Sequence, residues 1–458
     1  MNGMRQVLHQ CLPFPRIAMI PVQPSPEKYS SLLSYIIVGA GVGWMRCGDP
    51  CGRPRSAGRY SESYQEVLYM HIIVLGGAGA MGRVTVRTLT EYPDVDHVTI
   101  ADYNEGRAQE LAASLNSGKL LVRQIDVNDE ERLRELLRGT DVALSAVEYV
   151  FNLPILKACI QEKVHYADLG GLFHMSRKLM NMHAEAEAAG ITAILGMGGT
   201  PGITNILACA AVDKLDRVES IKVELGCSDA TPSSAPLVAP YSIRTILDEF
   251  TKQPQVFQDG AWHPQQPLSG QEEMIFPLPV GRATAIYSLH SECATFPVSF
   301  KDKGIRYVSF KIAFPSDFMT KLKFLVDLGF GSDEPINVRG VKVSPREVLA
   351  RLLEMVPAED VEPQDCDVLR VVTAGESNGQ QVEITNQVVV LPYRPWNIGA
   401  GALDTGAPLA IAGHMLASGE ITRRGAFGPE MCVPVAPFFR ELARYDMHVT
   451  ETRTVTIS

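Results

Sequence analysis

The sequence predicts a doubly wound parallel α/β sheet followed by a second α/β domain whose sheet is mixed or antiparallel. Three observations lead there. Short apolar runs alternate with helical stretches from His71 to Leu195, the pattern of repeated strand–helix–strand units. After Asp213 the extended runs lengthen and the alternation stops. The chain has 458 residues, 46% of them hydrophobic, more than one core usually encloses.

The first strand is His71-Ile72-Ile73-Val74-Leu75, a continuous apolar run of the kind a buried parallel strand requires. Gly77-Ala78-Gly79-Ala80-Met81-Gly82 follows as G-x-G-x-x-G, and Arg83 to Leu89 continues as a helix. In that order Gly77 allows a tight turn, Gly79 lets backbone approach a pyrophosphate, and Gly82 lets helix and strand pack closely. Ala80 and Met81 complete the phosphate-facing set. The second strand, His97 to Ala101, ends at Asp102, 20 residues beyond Gly82. A carboxylate there accepts hydrogen bonds from ribose hydroxyls and repels a 2′-phosphate, so NAD is expected over NADP. Arg107 lies close enough to soften that preference and leaves NADP as the alternative. This constellation is that of a Rossmann domain.

The alternation continues. Lys119 to Ile125 reads as the third strand, with Asp126-Val127 at its carboxyl end where an adenine could be contacted. A helix from Asp129 to Arg138 leads to the fourth strand, Asp141 to Ser145, and to Ala146 in the following cofactor-facing loop. A helix over 152–162, a strand over 164–167, a long helix over 174–189 and a strand over 191–195 close the series. Beyond Asp213, residues 218–227, 283–289, 305–313, 367–374 and 381–391 look extended. Helical stretches intervene at 242–253, 318–328 and 345–356. Asp404 to Ser418 reads as a helix opened by an acidic cap, and Pro434 to Tyr445 as another. Met415 and Leu416 are expected in the core. The expected divisions are 1–69, 70–213 for the dinucleotide domain, 214–395 for substrate and dimerisation, and 396–458 for a C-terminal helical return.

Residues 1–69 differ in composition, carrying a formal charge of +3 against −13 for the remainder, and seven of the 30 prolines. They are read as an appended or mis-started leader, with the fold beginning at Met70. Tyr29 to Met45 is 17 residues without a charge, near the lower limit of a membrane span, but its glycines and serines weigh against that role. Ile36 to Gly43 imitates a glycine-rich phosphate loop. Trp44 stands where its last glycine should be, and no helix follows.

A net charge of −10 argues against a nucleic-acid partner. The nine cysteines are dispersed, with no C-x-x-C, which suits reduced thiols in a cytoplasm. No metal-binding His or Cys pattern occurs, so no metal is expected. No membrane partner is expected either.

Several segments together resemble the saccharopine dehydrogenase family. They are the glycine loop, Asp102, Tyr166-Ala167-Asp168-Leu169-Gly170-Gly171, and Gly199-Thr200-Pro201-Gly202-Ile203-Thr204-Asn205. Later segments add to them: Leu268-Ser269-Gly270 before Glu272-Glu273, Leu289-His290-Ser291-Glu292, Gly406-Ala407-Pro408, and Ala417 to Ile421. The resemblance spans Met70 to about Thr450 and is strongest to the small L-lysine 6-dehydrogenases. It implies an oxidoreductase acting on an amino-acid C–N bond, and a homodimer. The activity expected is oxidative deamination of the lysine ε-amine to 2-aminoadipate 6-semialdehyde. The alternative is a saccharopine-type enzyme acting on a secondary amine that joins two amino acids.

Amine oxidation requires a neutral nitrogen, and a free lysine amine has a pKa of ~10.4, so the site must supply a base or desolvation. Glu148, Tyr149 and His290 are the candidates for that proton transfer. Arg244 is expected to hold the substrate carboxylate, since guanidinium pairs bidentately with carboxylate. Asp168 and Glu292 are expected to receive the α-ammonium, and Gly171 to line the same pocket. A redox-silent dinucleotide sensor is the rival class; polar groups beside the nicotinamide favour an enzyme.

Overall fold

The computed structural model describes residues 69–356 and 361–456. The readings made for residues 1–68 lie outside these. From its start the described chain alternates strand and helix: β1 (His71–Leu75), α1 (Gly82–Thr90), β2 (His97–Asp102), α2 (Glu105–Leu115), β3 (Leu120–Gln124) and α3 (Glu130–Leu137). Next come β4 (Val142–Ser145), α4 (Asn152–Glu162), β5 (His165–Asp168), α5 (Leu172–Met180), α6 (His183–Ala189), β6 (Thr192–Ile194) and α7 (Ile203–Val212). Strands β1 to β6 pair in parallel in the order β3-β2-β1-β4-β5-β6. Ile72 to Leu75 and Val142 to Leu144 are wholly buried, which is why these strands are continuous apolar runs. The helix expected over 174–189 is two helices, interrupted at Asn181 and Met182.

The second sheet is mixed. Its elements are β7 (Arg217–Asp229), α8 (Ile243–Thr251), β8 (Gln255–Gln258), β9 (Ala261–Pro264), β10 (Glu272–Ile275), β11 (Arg282–Tyr287), α9 (Glu292–Ser299), β12 (Tyr307–Ala313) and α10 (Ser316–Leu325). They continue with the hairpin β13 (Ile336–Val338) and β14 (Val341–Val343), α11 (Pro345–Glu354), β15 (Asp365–Ser377) and β16 (Gln380–Val390). The order is β10-β11-β12-β7-β15-β16, with β7 and β12 parallel and β7 and β15 antiparallel.

The last segment belongs to both sheets. After α12 (Ala400–Ala417), β17 (Gly425–Phe427) joins β6 in parallel as a seventh strand of the first sheet. Then α13 (Val435–Ala443) leads to β18 (Val449–Val455), which pairs with β16. The C-terminal return is thus not purely helical. Helix α12 starts four residues before Asp404, capped by Gly399, and Asp404 is buried inside it rather than at its cap. The helix is buried nearly all round, including Met415 and Leu416. It lies directly on α1, where the Thr85 hydroxyl donates to the Gly406 carbonyl at 2.9 Å. That contact locks the second domain against the glycine loop. No helix among the described residues is long and apolar enough to cross a membrane.

Candidate active site

The dinucleotide half forms where β1 turns into α1. The left-handed turn falls at Gly76, φ +74°, one residue before the glycine expected to make it. Gly77 is instead required by packing, since a Cβ there would stand 3.0 Å from Ile100 Cγ2 and from the Val74 carbonyl. Gly82 is tighter still, because its Cβ would lie 2.1 Å from the Gly76 carbonyl oxygen. Gly79 and Ala80 are exposed, and the Ala80 and Met81 amides donate to no acceptor among the described residues. Unpaired N–H groups at a helix N-terminus fit a pyrophosphate. Ala146 adds a wall, its carbonyl against Gly76.

Asp102 sits at the end of β2, half-buried. Its carboxylate accepts from the Ala78 amide at 3.0 Å and the Asn104 amide at 2.9 Å. It thereby braces the glycine loop as well as facing the ribose position. Asp126 is exposed and accepts from the Asn128 amide and side chain, with Val127 half-buried beside it. Arg107 is exposed on α2. Replacing Asp102 with Ala is expected to weaken both dinucleotides through the loop. It should also raise the ratio of NADPH to NADH affinity about tenfold, or roughly 1.4 kcal/mol, by removing the carboxylate that repels a 2′-phosphate. Fluorescence titration with each reduced dinucleotide measures this, and an unchanged ratio removes Asp102 from cofactor choice.

The substrate half lies where the second domain covers the carboxyl ends of β5 and β6. The segment 288–292 comes from β11 and leads into α9. Ser291 accepts from the Ser176 hydroxyl at 2.9 Å and lies 3.7 Å from where a Cβ on Gly170 would be. Glu292 is 0% exposed; one oxygen accepts from the Thr204 hydroxyl at 2.8 Å and the other faces His290 Nδ1 at 3.1 Å. The His290 ring stacks on Phe310, with centroids 3.5 Å apart. Its Nε2 has no hydrogen-bond partner among the described residues.

Nearby, on the buried face of α8, stands Glu249, which sequence reasoning missed. Its oxygens accept from the Tyr241 hydroxyl at 2.9 and 3.0 Å and from Ser288 at 3.1 Å. Burial pushes the Glu249 carboxyl up, partly offset by His290. A further acidic group stands beyond Tyr241: Asp367 on β15 borders it, and Asp404 on α12 and Asp365 lie near Asp367. Burial raises Asp367 to about 7 and lifts Asp404 well above the carboxylate range. No Lys or Arg side chain hydrogen-bonds or ion-pairs with Glu249, Glu292, Asp367 or Asp404 among the described residues. A signal for Glu249 was present in the sequence, as adjacent acids in a helix whose other buried positions are apolar.

Five of the expected site residues stand in other settings. Arg244 does not face an empty carboxylate site. Glu347 takes its guanidinium at 2.7 to 3.1 Å, Glu354 at 3.0 Å and Glu148 at 3.3 Å, and these partners raise its pKa. Glu148 is thereby an ion-pair partner rather than a free base. Tyr149 donates to Asp248 and accepts from Lys252 at 3.3 Å. Burial and then the Asp248 hydrogen bond drive its phenol far above the ordinary value, which unsuits it for proton shuttling near neutrality. Glu148, Tyr149, Arg244 and Glu347 line a cavity of about 190 Å³ with Arg346, which bonds Asp248 at 2.7 Å. Asp168 is 0% exposed and accepts three hydrogen bonds from Tyr166, Gly170 and Gly196, so its carboxylate is engaged with the loops around it. Gly171 is buried against Met175 at the start of α5 and offers no surface. The structure brings together His290, Glu292 and the unforeseen Glu249, and places Glu148, Tyr149 and Arg244 around the 190 Å³ cavity on the far side of Asp248.

Comparison with known proteins agrees with this two-part architecture. Residues 72–194 match the saccharopine dehydrogenase NADP binding domain and residues 198–447 the saccharopine dehydrogenase C-terminal domain. Carboxyaminopropylagmatine dehydrogenase of Synechocystis sp. is 20% identical over 81% of this chain and 94% of its own. Carboxynorspermidine synthase of Vibrio alginolyticus is 24% identical over 82% of this chain and 96% of its own. The fold is that of apo saccharopine dehydrogenase (L-Glu forming) from Saccharomyces cerevisiae, with TM-score 0.65 and 21% identity, covering 84% of this chain and 100% of that one. With both domains matched in order and the glycine loop built for a dinucleotide, the chain belongs to the saccharopine dehydrogenase family and is an NAD(P)-dependent oxidoreductase.

Proposed function

We propose that this enzyme makes or oxidises the C–N bond of a secondary amine that carries a carboxylate on one arm and a cationic nitrogen on the other. The observation that carries this reading is the pair of buried glutamates, Glu249 and Glu292, flanking His290 with no Lys or Arg between them. Buried carboxylates without a cation are costly, and a substrate ammonium offsets that cost. Asp367 and Asp404, whose carboxyls burial raises, stand beyond Tyr241 and ionise more readily beside a substrate cation. Two relatives are named for amines of this kind, one as a carboxyaminopropylagmatine dehydrogenase and one as a carboxynorspermidine synthase.

A bound nicotinamide dinucleotide supplies the hydride acceptor or donor at the carbon next to nitrogen. The chain supplies the rest. Glu292 holds His290 Nδ1, so Nε2 is free to take the proton that leaves the substrate nitrogen and to return it in the reverse direction. Glu249 holds the cationic arm, and Thr204 holds Glu292. L-Lysine, the substrate expected from the sequence, is smaller, and the arginine expected to bind its carboxylate is already paired.

The test is reduction of NAD and NADP monitored by absorbance, with carboxynorspermidine, carboxyaminopropylagmatine, saccharopine and L-lysine offered separately. One of the two polyamine-type amines is expected to give kcat/KM at least about tenfold above saccharopine and lysine, the worth of one added ion pair at ~1.4 kcal/mol. Turnover of lysine alone, with ammonia released in equal amount, overturns the proposal.

A further inference from the structure

We infer that Asp168 is a positioning residue: its buried carboxylate staples the loops after β5 and β6 and so sets, from a distance, how Glu292 meets His290. The inference rests on the reading that His290 and Glu292 face the substrate.

Strands β5 and β6 end side by side, and Asp168 is the last residue of β5. One of its oxygens accepts from the Gly170 amide at 2.8 Å and from the Gly196 amide at 2.7 Å. The other accepts from the Tyr166 hydroxyl at 2.9 Å, and its own carbonyl accepts from the Met197 amide at 2.6 Å. One side chain therefore fixes the turn after β5 and the departure of the chain from β6. Both glycines sit in the left-handed region, φ +108° and +90°, and both lie against Pro201, where an added Cβ would stand 2.8 and 2.5 Å from its ring. The loop has no slack. It runs through Gly202 into α7, where Thr204 donates to Glu292. On the other side Gly170 abuts Ser291. Two of the surfaces against the 288–292 segment, Thr204 and Gly170, are thus tied to Asp168, which makes no hydrogen bond to that segment among the described residues; the others are Phe310, Glu249 and Ser176.

The surroundings of this carboxyl are simple. On β5 it meets Tyr166; behind Tyr166 stands Cys159 of α4, β4 contributes the neutral Ser145, and the β6 loop presents only backbone. Burial raises the carboxyl to about 6, with the bonds from Tyr166, Gly170 and Gly196 acting the other way. Protonation would turn an O–H toward N–H donors and loosen the staple. Because the folded carboxyl binds its proton more tightly than the unfolded one, this group favours folding more as pH falls through about 6. Activity is expected to fall over the same window. Loss of activity without loss of stability is the signature of positioning.

The experiment compares wild type, Asp168→Asn and Tyr166→Phe by hydrogen exchange and by the pH dependence of kcat/KM with carboxynorspermidine. In Asp168→Asn, exchange is expected to rise at least about tenfold in peptides covering 196–204 and also 288–292, with residues 76–82 unchanged. In kinetics this variant loses about 100-fold in kcat/KM and the acid inflection near pH 6, while NAD(P)H affinity stays within about threefold. Tyr166→Phe removes one donor from the charged form and should move that inflection up by about one pH unit. If only 196–204 loosens while 288–292 keeps its protection, the inference is overturned. A variant with a lowered melting temperature but wild-type kcat/KM and pH profile overturns it equally. Should Asp168→Asn fail to fold, the volume-conserving Tyr166→Phe decides by its inflection and by exchange at 288–292. If carboxynorspermidine is not turned over, the substrate proposal fails and hydrogen exchange alone decides the inference. Wild-type rates in His290→Ala would remove the site reading instead, leaving the exchange result to stand separately.

Discussion

Replacing Gly82 with Ala is expected to abolish dinucleotide binding, with the NADH and NADPH dissociation constants rising by 100-fold or more, about 3 kcal/mol. A methyl group at this position would lie 2.1 Å from the Gly76 carbonyl oxygen and within 2.9 Å of its carbon. Both are backbone atoms, so no side chain can swing away. Either α1 retreats from β1 or the turn at Gly76 opens. Retreat is blocked because α1 is held from behind by α12, where Gly406 comes so close that its own Cβ would sit 2.7 Å from the Met81 carbonyl. The turn must therefore yield, and it carries the Ala80 and Met81 amides that would meet the pyrophosphate. Fluorescence titration with reduced dinucleotide measures the loss, and circular dichroism checks that the fold survives. Binding within threefold of wild type would show that the glycine loop is not the phosphate site.

The first sheet was legible because burial on both faces makes its strands continuous apolar runs, as in Ile72 to Leu75. The seventh strand was not. Gly425–Phe427 has three residues and pairs with a strand over 230 residues earlier, so no local period announces it. The edge strands β8 to β10 were missed for a related reason: Gln258, Ala261 and Glu272 are exposed, and little alternation remains to read. In the site, spacing could find charged residues near strand ends but not their partners. Arg244 looked like a free cation because Glu347 lies 103 residues away in sequence. Asp168 looked like a ligand group because its hydrogen-bond donors include the backbone of Gly196, contributed by another strand's loop. The glycine loop was legible to within one residue, since a turn, a close approach and a helix start each demand a particular residue at a particular offset.

Changing Glu292 to Gln is expected to lower kcat/KM about 1000-fold while leaving the protein folded, a loss of ~4 kcal/mol in transition-state stabilisation. The amide has the volume of the carboxylate, so the fully buried site keeps its packing around Thr204 and Phe310. Its carbonyl can still accept from Thr204. Its NH2 group must then face His290 Nδ1, which turns that nitrogen from donor to acceptor. The ring proton moves to Nε2, and the nitrogen that should receive the substrate proton now carries one. The substitution also removes one of the two buried negative charges that favour a cationic substrate, so KM should rise as well as kcat fall. Glu249→Gln separates the two effects, because Glu249 does not hydrogen-bond the histidine and its loss should act mainly on KM. His290→Ala should cost about as much as Glu292→Gln, and the double variant little more, since both remove the same proton path. Additive losses in the double variant would mean that the two residues act independently, and a wild-type rate in either single variant would place the proton transfer elsewhere.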